Sequence, residues 1–208
     1  MRSTCAFLGT LVLGLVVCVG AFAQTPAALR LPSIIGDHMV LQAGQPAPIW
    51  GWANPGQAVS VRFAGQTVRT TAGADGRWQV SLKSLKASKT PADLTVSAGE
   101  TRVVTDVLVG EVWLASGQSN MEKPLGEQRG QQPTFNAAEE IAAANYPEIR
   151  LFKVPKIRSA TPKDDVQGQW VKTSPASIDA IKFSAAAYFF GRRIHQEVGV
   201  PVGLIDST

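Results

Sequence analysis

Cysteine is almost absent from this chain. Its 208 residues include two, Cys5 and Cys18, and both fall inside an apolar leader expected to be removed, so the mature protein would carry none. A disulfide framework, a thiolate nucleophile and a cysteine-rich metal site are thereby excluded. Histidine is equally scarce: His38 and His195 are the only two, and neither stands at a recognisable ligand spacing, so no metal is implied. No glycine-rich phosphate loop follows an apolar strand, which leaves no nucleotide cofactor to expect. A membrane-spanning run is also missing. The apolar stretch from Leu8 to Gly20 is shorter than the ~20 residues a bilayer requires.

That stretch has another explanation. Arg2 precedes it, and Ala21-Phe22-Ala23 follows it as a small-residue cleavage signature before Gln24. Residues 1–23 therefore read as a secretory signal peptide. The mature protein is expected to be exported, periplasmic or extracellular, with no stable membrane insertion once the leader is cut. The bulky valines before Cys18 argue against a lipid attachment site.

The formal net charge of +4 invites a nucleic-acid partner, but the pattern does not support one. Lys83, Lys86 and Lys89 form one loose group, and Lys153, Lys156, Arg158 and Lys163 another. Neither is interleaved with aromatics that could stack on bases. A mildly basic, solvated surface is the account adopted, and nucleic acid is not expected as a partner.

Two grammars divide the remainder. From Leu31 to about Val104, short alternating runs such as Val59-Ser-Val-Arg-Phe63, Val80-Ser-Leu82 and Leu94-Thr-Val96 are separated by turn residues at Asn54-Pro55-Gly56, Ala64-Gly65, Asp75-Gly76 and Gly99. This predicts an antiparallel β-sandwich domain over 24–104. After Thr105, strand and helix patterns alternate. Val107–Leu114 and Ile149–Val154 read as strands, Asn136–Ala144 as a helix, and Val200–Ile205 as a third strand. A long helix is predicted from an N-cap at Ser184 to a stop at Gly199, with Phe183, Ala187, Phe190, Ile194 and Val198 on its apolar face. The alternation predicts a parallel sheet with right-handed crossovers over residues 105–208, with the third strand as its edge.

The chemistry is sought where the first of those strands ends. Ser116-Gly117-Gln118-Ser119-Asn120 is a small polar loop at the carboxyl end of an apolar strand, where open α/β sheets gather their sites. Its composition is also ordinary turn chemistry, and Met121 stands where a G-x-S-x-G elbow would need its second glycine. Ser119 is the candidate nucleophile, with its own backbone N–H as one oxyanion donor. Gly117, Gln118 and Asn120 are candidates for shaping and supporting the oxyanion loop.

The arrangement resembles a known family. Gly36-Asp-His-Met-Val-Leu-Gln42, Trp50-Gly51 with Asn54-Pro-Gly56, Asp106-Val-Leu-Val-Gly-Glu-Val-Trp113 running into Ser116-Gly-Gln-Ser-Asn-Met121, and Phe183-Ser184 with Ala187-Tyr-Phe-Phe-Gly191 leading to Pro201-Val-Gly-Leu-Ile205 together resemble the secreted sialate O-acetylesterases of the SGNH hydrolase group. The resemblance extends over nearly the whole mature chain. It implies a β-sandwich followed by a flavodoxin-like α/β hydrolase domain. It further implies Ser119 as the nucleophile, an acetylated sugar or glycan as substrate, and no cofactor.

The resemblance also implies a glycine and an asparagine on later loops, and an Asp-x-x-His that supplies the base and its orienting acid. Arg192 stands three residues before His195 and Ile35 three before His38, so neither histidine fits. The expectation is an amino-terminal fragment whose hydrolase domain is incomplete and which is inactive alone. His38 is expected to be structural and His195 solvated. Two other functions remain open: an acetyl esterase acting on plant or microbial polysaccharide, and a non-catalytic surface protein whose β-sandwich binds sugar.

Overall fold

The computed structural model describes residues 29–208; the predicted signal peptide and the first residues of the predicted sandwich lie outside them. Ten strands and four helices occur among the described residues. The strands are β1 (Val40–Gln42), β2 (Ala47–Trp52), β3 (Ala58–Phe63), β4 (Gln66–Thr71), β5 (Arg77–Leu82), β6 (Ser88–Ala98), β7 (Glu100–Ser116), β8 (Tyr146–Lys153), β9 (Trp170–Thr173) and β10 (Val202–Ser207). The helices are α1 (Ser119–Glu122), α2 (Ala137–Ala142), α3 (Pro175–Ala180) and α4 (Ala185–Val198). The architecture is a mixed sheet with few helices.

The alternation read in the sequence is realised in the first half. β3 and β5 bury every second residue, Val59, Val61 and Phe63 on one and Trp78, Val80 and Leu82 on the other. β2 and β5 pair antiparallel as a two-stranded layer. Its buried Ile49, Trp78 and Leu82 join Val61, Phe63, Leu94 and Val96 of the large sheet in one core.

The large sheet runs β4-β3-β6-β7-β10-β8-β9, with β1 beside β7. β7 joins its two parts. Its first half pairs antiparallel with β6, and Glu111–Ser116 pairs parallel with β10. The strand passes position 105 without ending.

Three features of the second half depart from the sequence-based expectation. A flavodoxin-like order places the first strand of the α/β unit between the second and third; here the third, β10, lies between β7 and β8. β10 docks there because the Pro201 carbonyl packs against Gly110, where an added Cβ would stand 1.9 Å from it, and accepts a hydrogen bond from the Glu111 N–H at 2.9 Å. In consequence β10 is a covered strand rather than the exposed edge. The large apolar strand residues left in water are instead on β7, where Trp113 is 42% and Leu114 68% exposed. The third departure is β9 with α3, unanticipated elements that add an antiparallel strand outside β8.

Helix α4 has the predicted ends. The Ser184 hydroxyl caps it by accepting from the Ala187 N–H at 3.2 Å, and Gly199 ends it in the left-handed conformation. Its buried face, however, is Ala187, Tyr188 and Gly191, while Phe190 and Val198 are exposed. Gly191 decides this. A Cβ there would lie 2.5 Å from Leu204 of β10, so the helix turns its smallest residue to the sheet and approaches closely. Phe190 is left beside Trp113, edge to face, with centroids 5.0 Å apart.

Candidate functional site

β7 ends at Ser116, and the chain turns at Gly117, whose φ of +146° is open to glycine and strained for other residues. Gln118 precedes α1, a single turn that begins at Ser119 and is closed by the Met121 and Glu122 N–H groups donating to the Gln118 carbonyl at 2.7 and 3.0 Å. Gly117, Gln118, Ser119 and Asn120 are all exposed. Among the described residues the Ser119 hydroxyl has no hydrogen-bond partner, so it is presented to solvent and not spent on the loop.

The segment behind the serine is held against the start of α4. The Ala185 N–H donates to the Lys123 carbonyl at 2.8 Å, and the Leu125 N–H to the Phe183 carbonyl at 3.1 Å. Ser184 is in turn fixed by Asp206, a fully buried carboxylate near the end of β10. Asp206 Oδ2 accepts from the Ser184 N–H at 3.1 Å and from Lys153 Nζ at 2.6 Å, and Oδ1 accepts from the Thr208 hydroxyl at 2.8 Å. Three donors, one of them cationic, supply the hydrogen bonds that a buried carboxylate requires. The strand register pairs Ala115 with Asp206 and Ser116 with Ser207. The carboxylate therefore lies one row beneath the serine loop.

Sequence reasoning found Ser119 and Ser184 but not this framework. Asp206 and Lys153 are far from each other and from Ser184 in the chain, and no local pattern marks them as partners.

Neither histidine is on the serine's edge of the sheet. His38 Nδ1 is 2.6 Å from Asp106 Oδ2, an arrangement that resembles half of a catalytic dyad. Asp106 is ten residues before Ser116 on β7, roughly 30 Å of extended chain away. The same carboxylate receives Arg150 Nη1 at 2.8 Å, Arg150 Nη2 at 3.1 Å and Lys172 Nζ at 2.9 Å. Burial pushes its pKa up, but the hydrogen bonds from Arg150, Lys172 and His38 outweigh that and hold it well below the usual carboxylate range. The structural role expected for His38 is what this cluster gives it.

His195 differs from its expectation. It is not solvated: Nδ1 donates to the Val200 carbonyl at 2.7 Å, and its side chain is 15% exposed. α4 runs from Ser184, beside Asp206, to Gly199, at the amino end of β10, so His195 too stands at the edge opposite Ser119. Its task is to close the turn between helix and strand.

Among the described residues no three His, Cys, Asp or Glu side chains gather as a metal site, and no helix is long and apolar enough to cross a membrane. A cavity of about 880 Å³, lined by Arg30, Asp37, Trp52, Asp75 and Arg102 among others, belongs to the β layers of the first half. A smaller one, of about 360 Å³, reaches the carboxyl edge of the parallel strands through Leu114, Ile205 and Ser207.

The chain is 32% identical to the sialate O-acetylesterase of Mus musculus over 217 residues, which cover 95% of this chain and 39% of the mouse protein. It is 34% identical to the sialate O-acetylesterase of Homo sapiens over 220 residues, 95% of this chain and 40% of the human one. Among solved structures, a carbohydrate acetylesterase from Xanthomonas citri superposes with a TM-score of 0.78 at 40% identity, covering 86% of this chain and 40% of that one. No protein-family model matches the chain. The chain thus spans about two fifths of the length of the relatives it matches.

Proposed function

The chain belongs to the sialate O-acetylesterase family, and we propose from that premise that it is the Ser119-bearing part of an exported carbohydrate O-acetylesterase. One observation carries the proposal: Ser119 stands exposed, with no hydrogen-bond partner for its hydroxyl among the described residues, just past the carboxyl end of a parallel strand, on a turn anchored through α4 to the buried Asp206.

In this reading Ser119 Oγ attacks the acetyl carbonyl and forms the new ester bond. The bond from the carbonyl carbon to the sugar oxygen breaks, the proton lost by Oγ passes through a general base to that oxygen, and water later releases acetate from Ser119. The Ser119 N–H is one donor to the tetrahedral oxyanion. Gly117 sets the backbone path, and Gln118 and Asn120 flank and support the oxyanion loop.

With both histidines at the opposite edge, the base and the remaining oxyanion donors are assigned to a segment other than these 208 residues. The chain alone is accordingly proposed to be inactive. The same reading treats 1–23 as a signal peptide, 24–104 as a β-sandwich domain and 105–208 as the amino-terminal part of an SGNH-type α/β domain.

Two substrates fit the same serine. The mammalian relatives favour O-acetylated sialic acid. The Xanthomonas citri structure, with the higher identity, is that of a carbohydrate acetylesterase, which favours an acetylated polysaccharide as the alternative. The test is a chimera that continues this chain with the remainder of the Xanthomonas citri protein. Hydrolysis of an acetyl ester is expected in the chimera and should fall at least about a thousandfold in Ser119→Ala. Undiminished hydrolysis in that variant would remove Ser119 from the mechanism.

A further inference from the structure

The face of the parallel strands opposite α4 is only partly covered. In-register neighbours share a face, so Trp113 and Leu204 lie under α4, while Leu114 and Ile205 lie on the other side. There the 360 Å³ groove has Leu114, Ile205 and Val154 as its floor, with Trp50 of β2 and Val166 of the loop before β9 among its walls. Its size is within the range of small-molecule sites. Polar groups stand at its rim: the hydroxyl of Ser207, the ammonium of Lys163 and the carboxylates of Asp164 and Asp165.

The two carboxylates are held in place. Asp164 pairs with Arg77 at 2.6 Å and Asp165 with Arg30 at 3.1 Å, and Asp165 also accepts from the Ser33 N–H at 2.9 Å. The wall is thereby tied to the β layers of the first half. The same loop is tied to α1 by Lys156 and Glu122 at 2.8 Å. An aliphatic floor and an indole wall beside hydrogen-bonding groups suit an amphipathic ring, with C–H patches on one face and hydroxyls at its edge.

The groove's position connects it to the serine. Ser207, on its rim, pairs with Ser116, and three residues place Ser119 no more than about 11 Å from Ser116. A sugar one glycosidic bond from an acetyl group at Ser119 therefore reaches the Ser207 end.

We propose that this groove is a subsite for the sugar unit linked to the acetylated one, so that the protein binds an acetylated sugar carrying that neighbouring unit in preference to the same acetylated sugar without it. The inference rests on Ser119 as the acylated residue. Trp50 and Leu114 stack on the neighbouring ring, and Ser207 and Lys163 receive its hydroxyls.

The test is binding to the 208-residue chain, measured by calorimetry with two ligand pairs. One pair is the O-acetylated sialic acid methyl glycoside and O-acetylated sialyllactose; the other is an O-acetylated methyl xyloside and O-acetylated xylobiose. The longer ligand of at least one pair should bind about five- to tenfold tighter, and which pair does so identifies the glycan. Leu114→Asp, at an exposed position, should abolish the preference while leaving the fold intact; Trp50→Ala should do the same, and Ser119→Ala should keep it. Equal binding of both members in both pairs overturns the proposal, as does a preference that survives Leu114→Asp. Failure of the Ser119 assignment is read separately, from the hydrolysis lost or kept in the chimera.

Discussion

Asp106, within β7, and Ser119, just past its end, are opposites. Asp106 is surrounded by donors, takes a left-handed φ of +57°, and sits where the β6–β7 register shifts; the Ser119 hydroxyl has no hydrogen-bond partner among the described residues and faces water. Because Asp106 is held below the ordinary carboxylate range, the unfolded chain binds its proton more readily than the folded one. Its contribution is therefore fully present above the unfolded value, about pH 4, and is lost as pH falls through the folded value. Asp106→Asn keeps tolerance of the left-handed conformation and removes the charge. It leaves Arg150, 3% exposed, uncompensated, and should cost about 3–5 kcal/mol at neutral pH. Urea unfolding between pH 2 and pH 6 should show the wild-type midpoint dropping below about pH 4 and a flatter profile in the variant. Parallel profiles would show that the cluster contributes no proton-linked stability.

Helix α4 shows what a sequence pattern can and cannot supply at the scale of an element. Its ends are local matters, a serine oxygen and a left-handed glycine, and both were legible. Its buried face is not local. Phe190 and Val198 fit a helical stripe as well as Ala187 does, but Gly191 opposite Leu204 sets the rotation, and that contact joins residues on separate elements. Gly191→Ala forces Leu204 to move within a filled core and should cost about 1–3 kcal/mol in thermal or urea unfolding. Ser184→Ala removes the cap and should cost about 1 kcal/mol. β9 was missed for a related reason: Trp170-Val-Lys-Thr173 is too short to alternate visibly, and its place is set by pairing with β8 and by the Trp170 indole donating to the Ile34 carbonyl at 2.8 Å.

At the scale of the whole molecule, β7 is the member that both halves share. The sequence reading separates two grammars near residue 105; along β7 the pairing passes from antiparallel with β6 to parallel with β10. The physical handover is carried by one unbroken strand, with the Asp106 cluster and the Gly110–Pro201 contact at the crossing. Backbone on both sides of that contact leaves nothing flexible to give way. Gly110→Ala should therefore destabilise more than Gly191→Ala, by about 3 kcal/mol or more. Similar costs for the two would show that Pro201 can retreat. The exposed pairs that tie the loop before β9 to its neighbours, Arg77–Asp164 and Lys156–Glu122, are individually worth at most about 1 kcal/mol. Added salt should move the unfolding midpoint far less than the loss of Asp106 does.

The proposed function depends on one presented hydroxyl, and its chemistry can be read directly. The chimera that continues this chain with the remainder of the Xanthomonas citri protein would be mixed with an O-acetylated glycan, quenched in acid during turnover, digested and analysed by peptide mass spectrometry. The peptide containing Ser119 should carry the mass of one acetyl group, with fragmentation placing it on that serine, and the modification should be absent from Ser119→Ala. Steady hydrolysis with the acetyl group on another residue, or on none, would contradict the assignment.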